Sequence, residues 1–368
     1  ATYRTQHRGG KGRSGMSMKD EDFVTRLFSA NTHTEMLFFS SDGMVYKEKV
    51  WRLPVGSPQS RGKALINMFP LEKDERITSV LPLPDSEEER DNMDIVFATK
   101  SGSIRRNKLS DFVRVNRNGK IAMKPDEGDG IVAVEVCSEK DDILLTTAMA
   151  QCIRFRAIDV RVFSGRTSSG VRGIRLGDSD EVISMAILRH VDITSAEARA
   201  YLKHSAAMRR AAEGESEEIN EEILSEDDED GTEEAALSPE RIAELGAAEQ
   251  LIITVTSKGM GKRASAYDYR VSGRGGKGLI AHRITGDQRI AASFPVDESD
   301  QLMLVTDAGQ LIRTRVDQIR QAGRSTAGVW VLRTTDGENV VSVERLVEQD
   351  EDDLEEGQDP SSTPTADE

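Results

Sequence analysis

The chain has 368 residues and a formal net charge of -16. Two cysteines, Cys137 and Cys152, are too few for a disulfide framework, which points to a reducing cytosol. No apolar run is long enough to cross a membrane, and His and Cys show no metal-ligand spacing. The acidity is local. Residues 1–190 hold 30 Lys+Arg against 27 Asp+Glu, and 250–347 hold 14 against 10. Residues 191–249 hold 5 against 18, and 348–368 hold none against 10. Two acidic appendages thus hide a body of net charge +7, so the low pI does not exclude a nucleic-acid partner.

The chain opens on Gln6-His7-Arg8-Gly9-Gly10-Lys11-Gly12-Arg13, where cations alternate with glycines. The glycines let a backbone approach closely, and the cations call for an anionic partner. A weaker copy recurs at Ser272-Gly273-Arg274-Gly275-Gly276-Lys277-Gly278. Both copies satisfy G-x-G-x-x-G, but neither has the preceding strand and long following helix of a dinucleotide site. A Walker loop is excluded because Lys11 and Lys277 are each followed by Gly. No nucleophile constellation stands out, so no enzymatic chemistry and no cofactor are expected here.

Next come five hairpin signals, each an apolar run, a small-residue turn and a basic exit. Met36 to Phe39 leads through Gly43 to Lys47, and Asp94 to Phe97 leads through Gly102 to Arg105 and Arg106. Ile143 to Leu145 leads through Ala150 to Arg154 and Arg156. Leu251 to Ile253 leads through Gly259 to Lys262 and Arg263, and Leu302 to Val305 leads through Gly309 to Arg313 and Arg315. Each is followed by a Gly-rich stretch and then by a second short strand pair, as where Arg61-Gly62-Lys63 precedes Ile77 to Val80. A sixth copy without its hairpin runs from Gly10 to Phe23-Val24-Thr25-Arg26-Leu27, which predicts a chain that starts inside a repeat. The turns are spaced about 50 residues apart once 191–249 is set aside. That period, with about four strands per unit, predicts blades. No Trp-Asp signature marks an ordinary WD40 propeller.

The interruption at 191–249 predicts a helix over 194–213 with Thr194 or Ser195 as N-cap and Glu197 near the capping-box position. It also predicts a second helix from Ser238 with Pro239 in its first turn. The acidic run 216–234 and the tail 348–368 are expected to be disordered. Either solubility or competition with a polyanion for the basic surface would explain them.

Gln6 to Gly12 resembles the seven-residue box, Gln-Arg-Arg-Gly-Gly-Lys-Gly, of the DNA-wrapping C-terminal domain of the DNA gyrase A family. Six positions match, and His7 replaces an Arg. The stretch from Arg61 to Thr78 also looks like a second blade of that family, and the likeness covers 1–190 and 250–347. It implies an all-β fold, a six-bladed β-pinwheel of four-stranded blades, interrupted by the helical and disordered acidic insertion. It further implies double-stranded DNA as partner, wrapped at the rim to support negative supercoiling. Catalytic residues would lie outside this segment. The other partners would be the rest of the A subunit and gyrase B in a cytoplasmic, nucleoid-associated heterotetramer. The alternatives are a topoisomerase IV C-terminal domain or a propeller-like protein-interaction scaffold. Expected DNA-contacting residues are Gln6, Arg8, Gly9, Gly10, Lys11, Gly12, Arg13, Arg61, Lys63, Arg105, Arg106, Lys108, Arg154 and Arg156. On the later repeats they are Lys262, Arg263, Arg274, Lys277, Arg313, Arg315 and Arg324.

Overall fold

A computed structural model describes residues 13–14, 30–55, 62–213, 236–335 and 337–346. In chain order the strands begin with β1 (Arg13–Ser14), β2 (Glu35–Ser40), β3 (Met44–Lys49), β4 (Ile77–Pro82), β5 (Asp94–Thr99), β6 (Ser103–Lys108) and β7 (Lys120–Ile121). They continue with β8 (Ile131–Cys137), β9 (Asp141–Thr147), β10 (Gln151–Arg156), β11 (Val171–Arg172), β12 (Val182–Arg189), β13 (Leu251–Thr256) and β14 (Met260–Ser265). The last are β15 (Leu279–Ile280), β16 (Ile290–Val296), β17 (Gln301–Thr306), β18 (Gln310–Arg315), β19 (Val329–Trp330) and β20 (Val340–Leu346).

Among the described residues these make five four-stranded antiparallel sheets. They are I (β4-β2-β3-β7), II (β8-β5-β6-β11), III (β12-β9-β10-β15), IV (β16-β13-β14-β19) and V (β20-β17-β18-β1). Each two-residue outer strand is contributed by the next repeat. On sheet V the edge is supplied by β1, with Arg13 opposite Leu311 and Ser14 opposite Gln310. The expected second strand pair is therefore corrected. The Gly-rich stretch donates an edge strand to the preceding sheet and does not pair with the inner strand of its own. The expected strand at 23–27 lies outside the described residues, as do the acidic run and the tail.

Each hairpin turns at a residue of positive φ, and a hydroxyl three residues earlier braces it. Ser40, Thr99, Thr147, Thr256 and Thr306 accept from the backbone N–H four residues on, at 3.0 to 3.2 Å. Ala150 takes this place in sheet III at φ 63, where the other four turns use glycine. Every inner strand carries a register shift opposite the end of the first hairpin strand. Such bulges bend and twist a strand, and the inner strands β4, β8, β12, β16 and β20 lie side by side in turn.

The core lies between successive sheets. Phe39 and Phe97 pack sheet I on II, and Val96 and Leu145 pack II on III. Leu144 and Ile252 pack III on IV, and Ile253 and Leu304 pack IV on V. This follows from strands that are apolar on both faces, the pattern required when a sheet is covered on each side.

The interruption holds α2 (Ser195–Glu213) and α3 (Pro239–Ala248), and a short α1 (Glu87–Asn92) precedes sheet II. Thr194 and Glu197 close the capping box: Glu197 N–H donates to Thr194 Oγ1 at 3.2 Å, and Thr194 N–H to Glu197 Oε2 at 2.9 Å. The helix pair docks on sheet IV through Tyr267, which meets Tyr201 edge-on at 5.3 Å and donates to Leu245 O at 2.8 Å. Among the described residues no helix is long and apolar enough to cross a membrane.

Candidate nucleic-acid interface

The chain between each hairpin and its inner strand forms a strap across the preceding sheet. Straps 113–124, 160–175, 269–283 and 319–333 lie on sheets I to IV. Three begin with a parallel bridge to the sheet they cross: Val162 to Arg106, Val271 to Arg154 and Gln321 to Arg263. Each then bends at a glycine of positive φ and pairs as the outer strand. Gly278 (φ 79) shows why no side chain fits. A Cβ there would sit 2.1 Å from Cys152 O in the sheet beneath.

The straps bury cations that the sequence assigned to DNA. Arg154 ion-pairs with Asp142 at 2.8 Å and donates to Ala266 O in the next repeat at 2.7 Å. Arg263 donates to Ile319 O at 2.6 Å and to Glu298 at 2.8 Å. Lys262 donates to Gly323 O at 2.9 Å, to Thr326 O at 2.6 Å and to Arg324 O. Arg105 donates to Ser168 O at 2.7 Å, Arg106 pairs with Asp94 at 3.2 Å, and Arg324 donates to Asp268 O at 3.0 Å. All six are buried. Strap carbonyls facing a sheet have lost water and need donors, and long cationic side chains reach them. Burial draws the Lys262 ammonium down to about 7, against the opposing pull of Asp268. Arg105, Arg154, Lys262, Arg263 and Arg324 are thus buried ties between repeats, and Arg106 is buried on Asp94 of its own hairpin, so the expected DNA contacts of all six are corrected.

The other expected residues divide. Lys63, Arg156, Arg274, Lys277 and Arg315 are exposed. Arg315 pairs with Asp317 at 2.7 Å, and Arg274 donates to Asp159 O and Arg172 O, each at 3.1 Å. Lys108 is half-exposed and pairs with buried Asp94 at 2.8 Å. Arg313 is half-buried on Gln301 at 2.6 Å. Gln6, Arg8, Gly9, Gly10, Lys11, Gly12 and Arg61 lie outside the described residues, as does the Arg13 side chain.

Two columns of exposed cations were missed. Arg114, Arg161, Arg270 and Arg320 open the four straps, and Lys124, Arg175, Arg283 and Arg333 close them. A repeat-on-repeat alignment carries the signal, because the closing cation always stands five residues past the glycine at 119, 170, 278 or 328. Straps also link to one another: Arg175 N–H donates to Gly276 O at 2.8 Å and Arg283 N–H to Thr326 O at 3.1 Å. The cations therefore follow one perimeter from sheet to sheet.

The family model described as "DNA gyrase C-terminal domain, beta-propeller" matches residues 1–31, 34–84, 94–138, 141–189, 250–297 and 300–346. The chain belongs to the DNA gyrase C-terminal domain family.

Gyrase A subunits are similar in sequence throughout. That of Granulibacter bethesdensis is 51% identical over 94% of this chain and 37% of its own length. That of Rickettsia bellii is 44% identical over 97% and 39%, and that of Escherichia coli K12 is 35% identical over 96% and 33%. The chain thus spans 33% to 39% of the length of these relatives. A solved DNA gyrase A C-terminal domain shares the fold at TM-score 0.65 and 18% identity, covering 94% of this chain and 93% of that one. The DNA topoisomerase IV C-terminal domain does so at 0.64 and 19%, covering 90% and 84%. The six matched segments fit the β-pinwheel expected from the sequence. Within this gyrase domain the strand after the box, β1, takes the place on sheet V that β15 takes on sheet III.

Proposed function

We propose that the chain wraps duplex DNA around its rim as the C-terminal domain of a gyrase A subunit. The observation that carries this is the pair of exposed cations at equivalent places on four consecutive straps. Bending 20–30 bp by 40–90° costs on the order of 1–6 kcal/mol, and a wrap costs more. Phosphate contacts spread along a curved, rigid perimeter offset that cost without reading bases. The box cations Arg8, Lys11 and Arg13 would add to the track. In the whole enzyme, with gyrase B and the remainder of the A subunit, such a wrap would bias ATP-driven strand passage toward negative supercoils. The catalytic residues would lie outside this chain, and the working compartment is the cytoplasm, at the nucleoid.

The test is topological. Closed circular DNA is relaxed by an unrelated type I topoisomerase while bound to the chain, and the protein is then removed. A shift in linking number that grows with bound protein is expected. Tight binding without any shift would overturn wrapping.

A further inference from the structure

We propose that Ile121, Ile280 and Trp330 form an apolar line on the rim that packs against the deoxyribose and groove surface of the wrapped duplex. The proposal rests on the DNA-wrapping reading above. Each residue is the second of a two-residue outer strand, β7, β15 or β19. They are 46%, 40% and 43% exposed. On β11 the same place is held by Arg172, and on β1 by Ser14. Exposed apolar residues scattered singly are ordinary. Three at one position among five outer strands are not scattered. An apolar side chain on an outer edge strand also invites pairing with other chains, so this placement runs against solubility.

The main chain beneath them is held. The Ile280 carbonyl accepts from Arg324 Nη1, and the equivalent Arg172 carbonyl accepts from Arg274 at 3.1 Å. A side chain leaving a fixed backbone has little freedom left to lose on contact. Three residues on in the chain stand the exposed cations Lys124, Arg283 and Arg333. The flanking charge selects the occupant. A second copy of the chain would bring the same cations into opposition, whereas a polyanion neutralises them. Proteins that bend DNA combine such cations on phosphates with apolar side chains laid into the minor groove.

Trp51 and Trp330 are the two tryptophans of the sequence, so Trp51→Phe leaves Trp330 as the reporter. Titrating duplex DNA into that variant is expected to change Trp330 emission in step with binding. Replacing Ile121, Ile280 and Trp330 together by Ser is expected to weaken binding roughly tenfold or more at every salt concentration. The slope of log affinity against log salt should not change, because no phosphate contact is removed. Unchanged Trp330 emission on saturation, or unchanged affinity of the triple variant, overturns the proposal and leaves DNA wrapping standing. So does an emission change that follows protein concentration in the absence of DNA, which would assign the face to a second copy. Failure of the unaltered chain to bind DNA at low salt overturns the wrapping reading itself.

Discussion

Arg154 belongs to sheet III, yet its guanidinium holds the Ala266 carbonyl of the next repeat at 2.7 Å while paired with Asp142 at 2.8 Å. One side chain thereby ties a hairpin, a strap and a neighbouring blade.

Arg154→Ala strips the guanidinium from buried Asp142, which keeps only its contact with the His190 ring at 2.9 Å, and leaves the Ala266 carbonyl without its donor. Loss of one member of such a pair typically destabilises by about 3–5 kcal/mol. Urea denaturation should show this drop, and Arg156→Ala, at the exposed end of the same strand, should show almost none. Equal stability of both variants would contradict the role of Arg154 as a tie.

Alanine at Lys124, Arg175, Arg283 and Arg333 together should act on DNA and not on the fold. Each phosphate contact contributes about 0.9 to the slope of log affinity against log salt, so about 3 to 4 units should be lost. The thermal midpoint should stay where it was, because all four side chains are exposed. Binding measured from 50 to 200 mM salt decides the matter, and an unaltered slope would move the track elsewhere.

Gly278→Ala drives a Cβ to 2.1 Å from Cys152 O at a φ of 79. Destabilisation of about 2 kcal/mol or more is expected. Backbone hydrogen exchange at Leu279 and Ile280 should accelerate with it. Gly273→Ala, with no atom within 4 Å of the new Cβ, should stay within about 0.5 kcal/mol.

His282 is buried, and burial followed by the Lys262 charge pushes its pKa down to about 3. Its Nε2 faces Ala327 O at 2.9 Å. Below its ordinary pKa the unfolded chain takes up a proton that the folded chain refuses. Its contribution to stability therefore falls as pH drops from about 6.5 toward 3, by roughly 1.4 kcal/mol per pH unit. His282→Gln should remove that slope, which denaturation at pH 7 and pH 4.5 compares directly.

Arg8→Ala, Lys11→Ala and Arg13→Ala combined should abolish the linking-number shift and leave the thermal midpoint unchanged. The pairing of β1 with β18 uses backbone groups, which these substitutions keep. A lowered midpoint would show instead that the box side chains hold the last sheet together.

The repeat was legible because its signals are local. A turn glycine at 43, 102, 259 or 309 sits between two strands that pair with each other, so the hairpins and their period follow from short-range pattern. The capping box at Thr194 and the helix start at Pro239 are local in the same sense. The cations were misread for the opposite reason. Arg154 and Arg156 differ by two positions in one strand, and only the strap arriving from Val271 decides which is covered. The closing cations at 124, 175, 283 and 333 lie in segments that read as loops, and their regularity emerges only when the repeats are superposed on the strap glycines.

The pairing of Arg13 with Leu311 makes the last sheet depend on the first residues described. In an open array of repeats, stability is close to a sum of unit and neighbour terms, and the ends fray independently. Here the earliest described strand, β1, is held by a strand of the last sheet. Loosening sheet V therefore also frees β1, and sheet V is complete only once β1 and β18 have met. Melting of sheet V should accordingly release β1 in the same step, and the helix pair between sheets III and IV is tolerated because it docks on sheet IV without entering a sheet.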